Sequence, residues 1–272
     1  MTAHELMVKT NRHLIQGGEL TVSQRAGVVR RLLAAKSAPE QAERFYRSVR
    51  FPGNTDGGGR RMYPVFFIPP YNDGKKLKTI YNQTPKTHIF AANAYELEIL
   101  RLLRLLAPED PVVRDMAQKT LERLKTTCFG YQDDGVGECF DASLVVLRFL
   151  AAVSDDIAWM RSRIENYNNH AGEKKRPWYA LWYFWLCLSE LPFELAEPEI
   201  LKYKDAILPW LTVKSAVMNS EHDKTVHPAL LCSLRNCLCR FPEYAHIKDV
   251  QPYVSEKDGR LHFDMEGSAD RR

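Results

Sequence analysis

The chain has 272 residues, enough for one large domain or two small ones, and is 45% hydrophobic and 26% charged, as folded proteins usually are. A net charge of +4 gives no sign of a nucleic-acid partner, and no stretch approaches the roughly 18 consecutive apolar residues of a membrane span. The first residues lack the compact apolar core of a signal peptide. Cys128, Cys139, Cys187, Cys232, Cys237 and Cys239 form no CxxC pair, so a cytoplasmic location is expected.

Two helices are predicted at residues 3–16 and 21–36, broken at Gly17-Gly18. In the second, Thr21 or Ser23 caps, and Val22, Val29, Leu32 and Leu33 form the apolar stripe. Pro39 opens a third helix over residues 39–49. Residues 1–90 carry 15 Lys/Arg against 6 Asp/Glu, whereas residues 91–272 carry 23 against 28, so the basic excess lies in the first third. Residues 51–62 are a glycine-rich loop without the strand, helix and GK[ST] of a phosphate-binding loop. Residues 63–71 read as one short extended piece ended by Pro69-Pro70, followed by the turn Asn72-Asp73-Gly74 and the basic residues Lys75, Lys76 and Lys78.

From residue 91 the pattern becomes helical. Residues 93–106 are apolar around much of the circumference, so neighbours must bury them on more than one side. Asn93 and Glu96 have the spacing of a capping box at that helix's start. A more polar helix follows over residues 111–125. The same order recurs: an apolar helix at 140–153 and a polar one at 156–168, then an aromatic helix at 177–190, a connection from Pro192 to Pro198, and a helix at 199–210. A fourth inner helix is predicted at 227–240, opened by His227 and Pro228. Beyond Pro242 the pattern fades, and residues 255–272 read as a tail that frays, with one short strand at 260–264.

Inner helices therefore start near residues 93, 140, 178 and 227, at intervals of 47, 38 and 49. The predicted fold is all-α: stacked α-hairpins forming a curved α/α solenoid or a partial α/α toroid, with an N-terminal helical extension. Residues 1–50 form that extension, 51–90 a connecting segment able to cover a site, 91–242 the hairpin repeat, and 243–272 the tail. The longer connections run from outer to inner helices, so a stack of parallel hairpins projects them from one end, where binding and catalytic groups are usually carried.

The sharpest local motif is YQDDGVGECFDAS at residues 131–143. Asp133, Asp134 and Glu138 have the chemistry for a divalent cation or for general acid–base work, with a hydrated turn as the plain alternative. Asp141 falls where the first turn of a helix has free N–H groups. Cys139 sits near the same helix start and reads as a nucleophile, a metal ligand or a packed thiol. His227, expected at a helix start, is read as a neutral imidazole suited to a base or ligand role. Lys75, Lys76, His88 and Arg176 precede inner helices and suit an anionic substrate. Trp178, Trp182 and Trp185 share one helix face and either line an apolar pocket or fill the core.

The hairpin repeat, the acidic DDGVGE stretch opening an inner helix and the aromatic inner helix together resemble the α/α-toroid enzymes, which include terpenoid cyclases and protein prenyltransferase β subunits. In the latter, an Asp, a Cys and a His at one end of the barrel bind zinc. Asp141, Cys139 and His227 are the matching positions, in the order Cys-x-Asp where the family has Asp-x-Cys. The cyclases carry an aspartate-rich motif, of which Asp133-Asp134 is a fragment. The resemblance spans residues 88–240 and implies an enclosed site with a divalent metal, zinc or magnesium. The expected function is acid–base chemistry (hydrolysis, elimination or cyclisation) on a small anionic substrate with an apolar portion. The competing expectation is a non-catalytic helical-repeat scaffold for a protein partner. A nucleic-acid partner would need a continuous basic stripe, against which the acid-rich loop argues.

Overall fold

The computed structural model describes residues 1–48, 60–69, 77–85, 88–131, 138–171, 178–212 and 220–263. The fold is all-α. Ten α-helices are described: α1 (Ala3–Ile15), α2 (Val22–Leu33), α3 (Pro39–Ser48), α4 (His88–Leu106), α5 (Pro111–Leu124), α6 (Glu138–Val153), α7 (Ile157–Ala171), α8 (Trp178–Glu190), α9 (Phe193–Thr212) and α10 (Glu221–Leu238). Two 3-10 turns, Arg60–Met62 and Pro242–Ile247, and two short strands, β1 (Tyr253–Val254) and β2 (Leu261–His262), complete the set. None of the helices described is long and apolar enough to cross a membrane.

The chain packs as two units, one comprising Met1–Asn11 and Leu20–Arg176, the other Arg12–Glu19 and Pro177–Arg272. In the first, α4 packs most extensively on α6, and each has its own following helix, α5 or α7, beside it. Leu97, Ile99, Leu100, Leu102 and Leu103 of α4 and Leu144, Val146, Leu147, Phe149 and Leu150 of α6 are fully buried. Their circumferential apolar pattern is satisfied by neighbours on several sides. Short links reverse the chain after α4 and after α6. Asp110 caps α5 by accepting from the N–H groups of Val112 and Val113, with Pro111 in the first turn. Asp156 does the same for α7, accepting from Trp159 N–H at 2.9 Å.

In the second unit α10 packs on both α8 and α9. Trp182 meets Trp210 edge-on at 5.4 Å between ring centroids, and Trp185 meets Tyr203 at 5.8 Å. The last turn of α1, which belongs to this unit, ends in a Schellman motif. Gly17 has φ +81°, its N–H donates to Leu14 O, and Gly18 N–H donates to His13 O. A side chain at Gly18 would overlap the His13 ring, the added Cβ lying 2.2 Å from Cε1.

Several predicted boundaries move: α4, α9 and α10 begin earlier than expected, whereas α2 ends at Leu33, three residues short of the expected 36. α4 begins at His88, not 93, because Phe90 and Ala92 are buried and carry the helix back by more than a turn. Asn93 and Glu96 are therefore interior, and the expected capping box does not form. α9 begins at Phe193 and runs through Pro198, so the expected connection 191–198 is mostly helix. Leu195, Ala196 and Ile200 are buried around the proline and offset the lost backbone bond. α10 begins at Glu221, which makes His227 its seventh residue and not its first. The stripe of α2 is Val28 and Leu32, while Val22 is 86% exposed. Thr21 caps α2 in a capping box with Gln24. Of the expected extended piece at 63–71, residues 63–69 form no strand.

Candidate functional site

The sequence candidates fall into three groups. Lys75, Lys76, Asp133, Asp134 and Arg176 lie outside the described residues. His88, Glu138, Cys139 and Trp178 stand in the first turns of α4, α6, α6 and α8, and only their backbone is described. Asp141, Trp182 and His227 are described with their side chains: Asp141 and Trp182 are buried and His227 is half-buried. Asp141 belongs to the first unit, and Trp182 and His227 to the second. Among the described residues no three His, Cys, Asp or Glu side chains converge as a metal site.

The flanks of the acidic stretch are closely bonded. Residues 125–131 fold against the first turns of α7, with Thr127 and Phe129 buried. The Thr127 hydroxyl donates to Leu124 O at 2.8 Å and accepts from Gly130 N–H at 3.1 Å. Gly130 is required at its place, because a Cβ would lie 2.2 Å from Leu124 O and 2.5 Å from Thr127 Oγ1. The indole N–H of Trp159 donates to Gly130 O at 2.7 Å, and the Arg163 guanidinium donates to Tyr131 O at 2.9 Å. Arg163 is 1% exposed, so a buried cation sits at the last described residue before Asp133-Asp134. Tyr131 packs edge-on to Trp159, and Lys125 Nζ lies over the Trp159 ring at 5.5 Å. On the far side of the stretch α6 opens at Glu138, and Asp141 is buried as its fourth residue.

Sequence reading did not find Thr127, Gly130, Trp159 or Arg163. They lie in a turn and in a helix marked as outer and polar, and no periodic pattern distinguishes a buried arginine from a solvated one.

Beside this frame lies a second polar construction that pattern reading assigned to capping. Glu96 is fully buried in α4. Its Oε2 accepts from the N–H groups of Val65, Phe66 and Phe67 at 2.8, 2.6 and 3.1 Å, and its Oε1 accepts from Arg123 Nη2 at 3.1 Å. Arg123 also donates to Arg61 O and to Asn93 Oδ1, and Asn93 donates to Met62 O and Ile89 O. One carboxylate thus takes the backbone donors that a strand would have sent to a neighbour, which is why residues 65–67 need no sheet. The Tyr46 hydroxyl donates to Pro64 O, and its pKa is pushed up by burial and by the nearby Glu96 carboxylate.

A third network is deeper. Arg148 of α6 pairs with Glu98 of α4 at 2.5 Å. Arg148 and Arg101 both donate to Asn11 Oδ1, at 3.3 and 3.0 Å, and Asn11 donates to Met7 O. Glu98 and Arg148 are each the eleventh residue of their helices, so the pair matches α4 to α6 at equal height. These charges are committed to holding the fold.

The described cysteines are free thiols. Burial pushes Cys232 up to about 11 and raises Cys237 further, while Cys239 is raised by the same cause. Burial thus disfavours the reactive thiolate at all three positions. No protein-family model, curated protein or solved structure matches the chain, so its function is argued from its own residues.

Proposed function

We propose that the first unit is an enzyme domain whose acid–base chemistry is carried by Asp133, Asp134 and Glu138. The observation that supports it is the frame at the entrance to that stretch. Trp159 and the buried Arg163 direct their polar groups to the carbonyls of Gly130 and Tyr131. A buried cation bonded to Tyr131, two residues before Asp133, favours ionised carboxylates in the acidic stretch. In this reading Asp134 or Glu138 acts as acid or base, Asp141 and Cys139 support the start of α6, and Lys75, Lys76 and Arg176 hold the anionic part of a small substrate. The toroid resemblance, a divalent metal and a cytoplasmic location belong to the same proposal.

The test is turnover of a panel of chromogenic aryl esters, aryl glycosides and aryl phosphates, with and without added zinc or magnesium. The wild type is compared with Asp134→Asn and Glu138→Gln. Turnover lost in either variant, at an unchanged melting temperature, is the expected result. Turnover that survives both substitutions, or no turnover by the wild type, removes the reading.

One observation favours a non-catalytic scaffold as the second reading. Both carboxylates in the middle of α4, Glu96 and Glu98, are consumed in ion pairs with Arg123 and Arg148. A helix that lines an active site usually keeps a carboxylate for chemistry.

A further inference from the structure

Among the described residues of the first unit three asparagines are buried, and two of them use both ends of the amide. Asn11 donates to Met7 O and accepts from Arg101 and Arg148. Asn93 donates to Met62 O and Ile89 O and accepts from Arg123. The third, Asn166 of α7, is 4% exposed, and its Oδ1 accepts no hydrogen bond among the described residues. A buried amide oxygen without a donor has given up hydration for nothing, so it opposes folding. Asparagine is also a poorer helix former than alanine or leucine, and local structure gives the interior of α7 no reason to carry one.

Its place on the helix supplies a reason. Trp159, Arg163 and Asn166 follow at i, i+4 and i+7 and lie on one face of α7. Along that face Trp159 holds Gly130 O and Arg163 holds Tyr131 O. Asn166 is the next position. The neighbouring guanidinium is committed elsewhere, with Nη2 on Tyr131 O and Nε on the Ser162 hydroxyl. Thr120 Oγ1 and Arg123 Nε also lack partners, but a hydroxyl and an N–H one turn apart on α5 are complementary to each other.

We propose that Asn166 is a substrate-binding residue of the first unit, whose amide oxygen accepts a neutral hydrogen-bond donor of the substrate, a hydroxyl or an amide N–H. The buried Arg163 cation one turn away disfavours an ammonium group in that place. The inference rests on the acid–base reading for the reaction and adds that the substrate carries such a donor. A site built to bond a donor rejects the analogue that lacks it, because its own polar group is then left unpaired.

The experiment compares the full chain with Asn166→Ala, and with Asn11→Ala as the control for an amide that is fully bonded. Urea midpoints are measured first. Asn166→Ala should unfold at the wild-type midpoint or above it, and Asn11→Ala below it. Turnover is then measured with aryl glycosides, which carry hydroxyls, and with aryl acetates, which have no donor. Asn166→Ala should lose about tenfold or more in kcat/KM on the glycosides and under about threefold on the acetates. A lowered midpoint in Asn166→Ala means that the amide serves the fold and overturns the inference, as do equal losses on the two substrates. Wild-type turnover of acetates but not of glycosides leaves the acid–base reading standing and overturns this one. With no turnover of either, the acid–base reading falls and binding decides: the glycosides should still raise the melting temperature of the wild type and not of Asn166→Ala, and no rise overturns the binding role as well.

Discussion

Substituting Glu96 by Gln keeps the shape of the side chain and removes the only carboxylate paired with Arg123 among the described residues. Arg123 stays 9% exposed, with Arg61 O and Asn93 Oδ1 as neutral acceptors, and the Gln NH2 must face either the three N–H donors of residues 65–67, which share Oε2, or the Arg123 guanidinium at Oε1. Breaking one partner of a buried pair costs about 3–5 kcal/mol, far more than losing an exposed bridge. Glu96→Gln should therefore lower the unfolding free energy by about 3 kcal/mol or more in urea titration. Adding Arg123→Met should cost less than the sum of the two, since the orphaned cation is gone. A loss below about 1 kcal/mol would show that the clamp is replaceable by water. A second residue is read out by pH. Burial raises Tyr95 from 10.0 to about 12. Below pH 10 both states keep the phenol neutral and the contribution to stability is intact. Above it the unfolded tyrosine ionises while the folded one does not, so stability is lost as the pH climbs toward 12. Cys232 adds the same sign between pH 9 and about 11. Tyr95→Phe should make the fall of the urea midpoint above pH 10 shallower than in the wild type, and identical slopes would refute the burial argument.

At the scale of elements, the turn at 125–131 is the joint between α5 and the acidic stretch, and Gly130 is its tightest point. A methyl group there meets backbone, Leu124 O at 2.2 Å and Leu124 C at 2.8 Å, which cannot swing aside as a side-chain tip does. Gly130→Ala should cost about 1–3 kcal/mol, the usual range for forced overpacking. It should also raise hydrogen exchange at Gly130 and Tyr131, whose amides bond to Thr127. Unchanged exchange there would mean that the turn does not depend on the glycine. The helices themselves were legible from hydrophobic period, and the break at Gly17-Gly18 from its glycines. Most boundaries were legible to within a few residues, but the starts of α4, α9 and α10 were not, and these errors share a cause. Asn93-Glu96 has capping-box spacing, Pro198 reads as a stop, and Pro228 reads as a start, because local rules weigh one residue at a time. Buried neighbours such as Phe90, Ala196 and Ala229 add tertiary energy that outweighs a proline's missing donor. The candidate site was half legible on the same grounds. An acidic stretch is visible as composition, whereas the arginine and indole that secure its entrance come from a helix far along the chain.

At the scale of the whole molecule, the segment after α10 matters most for how the second unit is held. Sequence shows no clear pattern after Pro242 and marks residues 255–272 as fraying, yet Ile247 is fully buried and Leu261, inside the expected tail, is 2% exposed. β1 and β2 pair antiparallel, with Tyr253 opposite His262. The Arg235 side chain explains the rest. It is 2% exposed, its Nε and Nη2 donate to Asn236 Oδ1, and its Nη1 donates to Val250 O at 2.6 Å. Asn236 in turn donates to Ile15 O, so one pair of α10 residues ties the end of α1 and the C-terminal segment to the same helix. Lys204 of α9 adds a second tether, pairing with Glu243 at 2.6 Å and lying over the rings of Phe241 and Tyr244. A chain ended after Phe241 loses the burial of Ile247 and Leu261, about 1.5–3 kcal/mol each. It also leaves a buried guanidinium short of an acceptor, for about 1–3 kcal/mol more. Together these rival the stability of an ordinary domain, about 5–15 kcal/mol. The truncated chain should therefore lose amide protection in α10 and α9 by native-state hydrogen exchange while α4 and α6 keep theirs. Protection of α10 equal to that of the full chain would show that the segment merely rests on the unit and that Arg235 finds another acceptor.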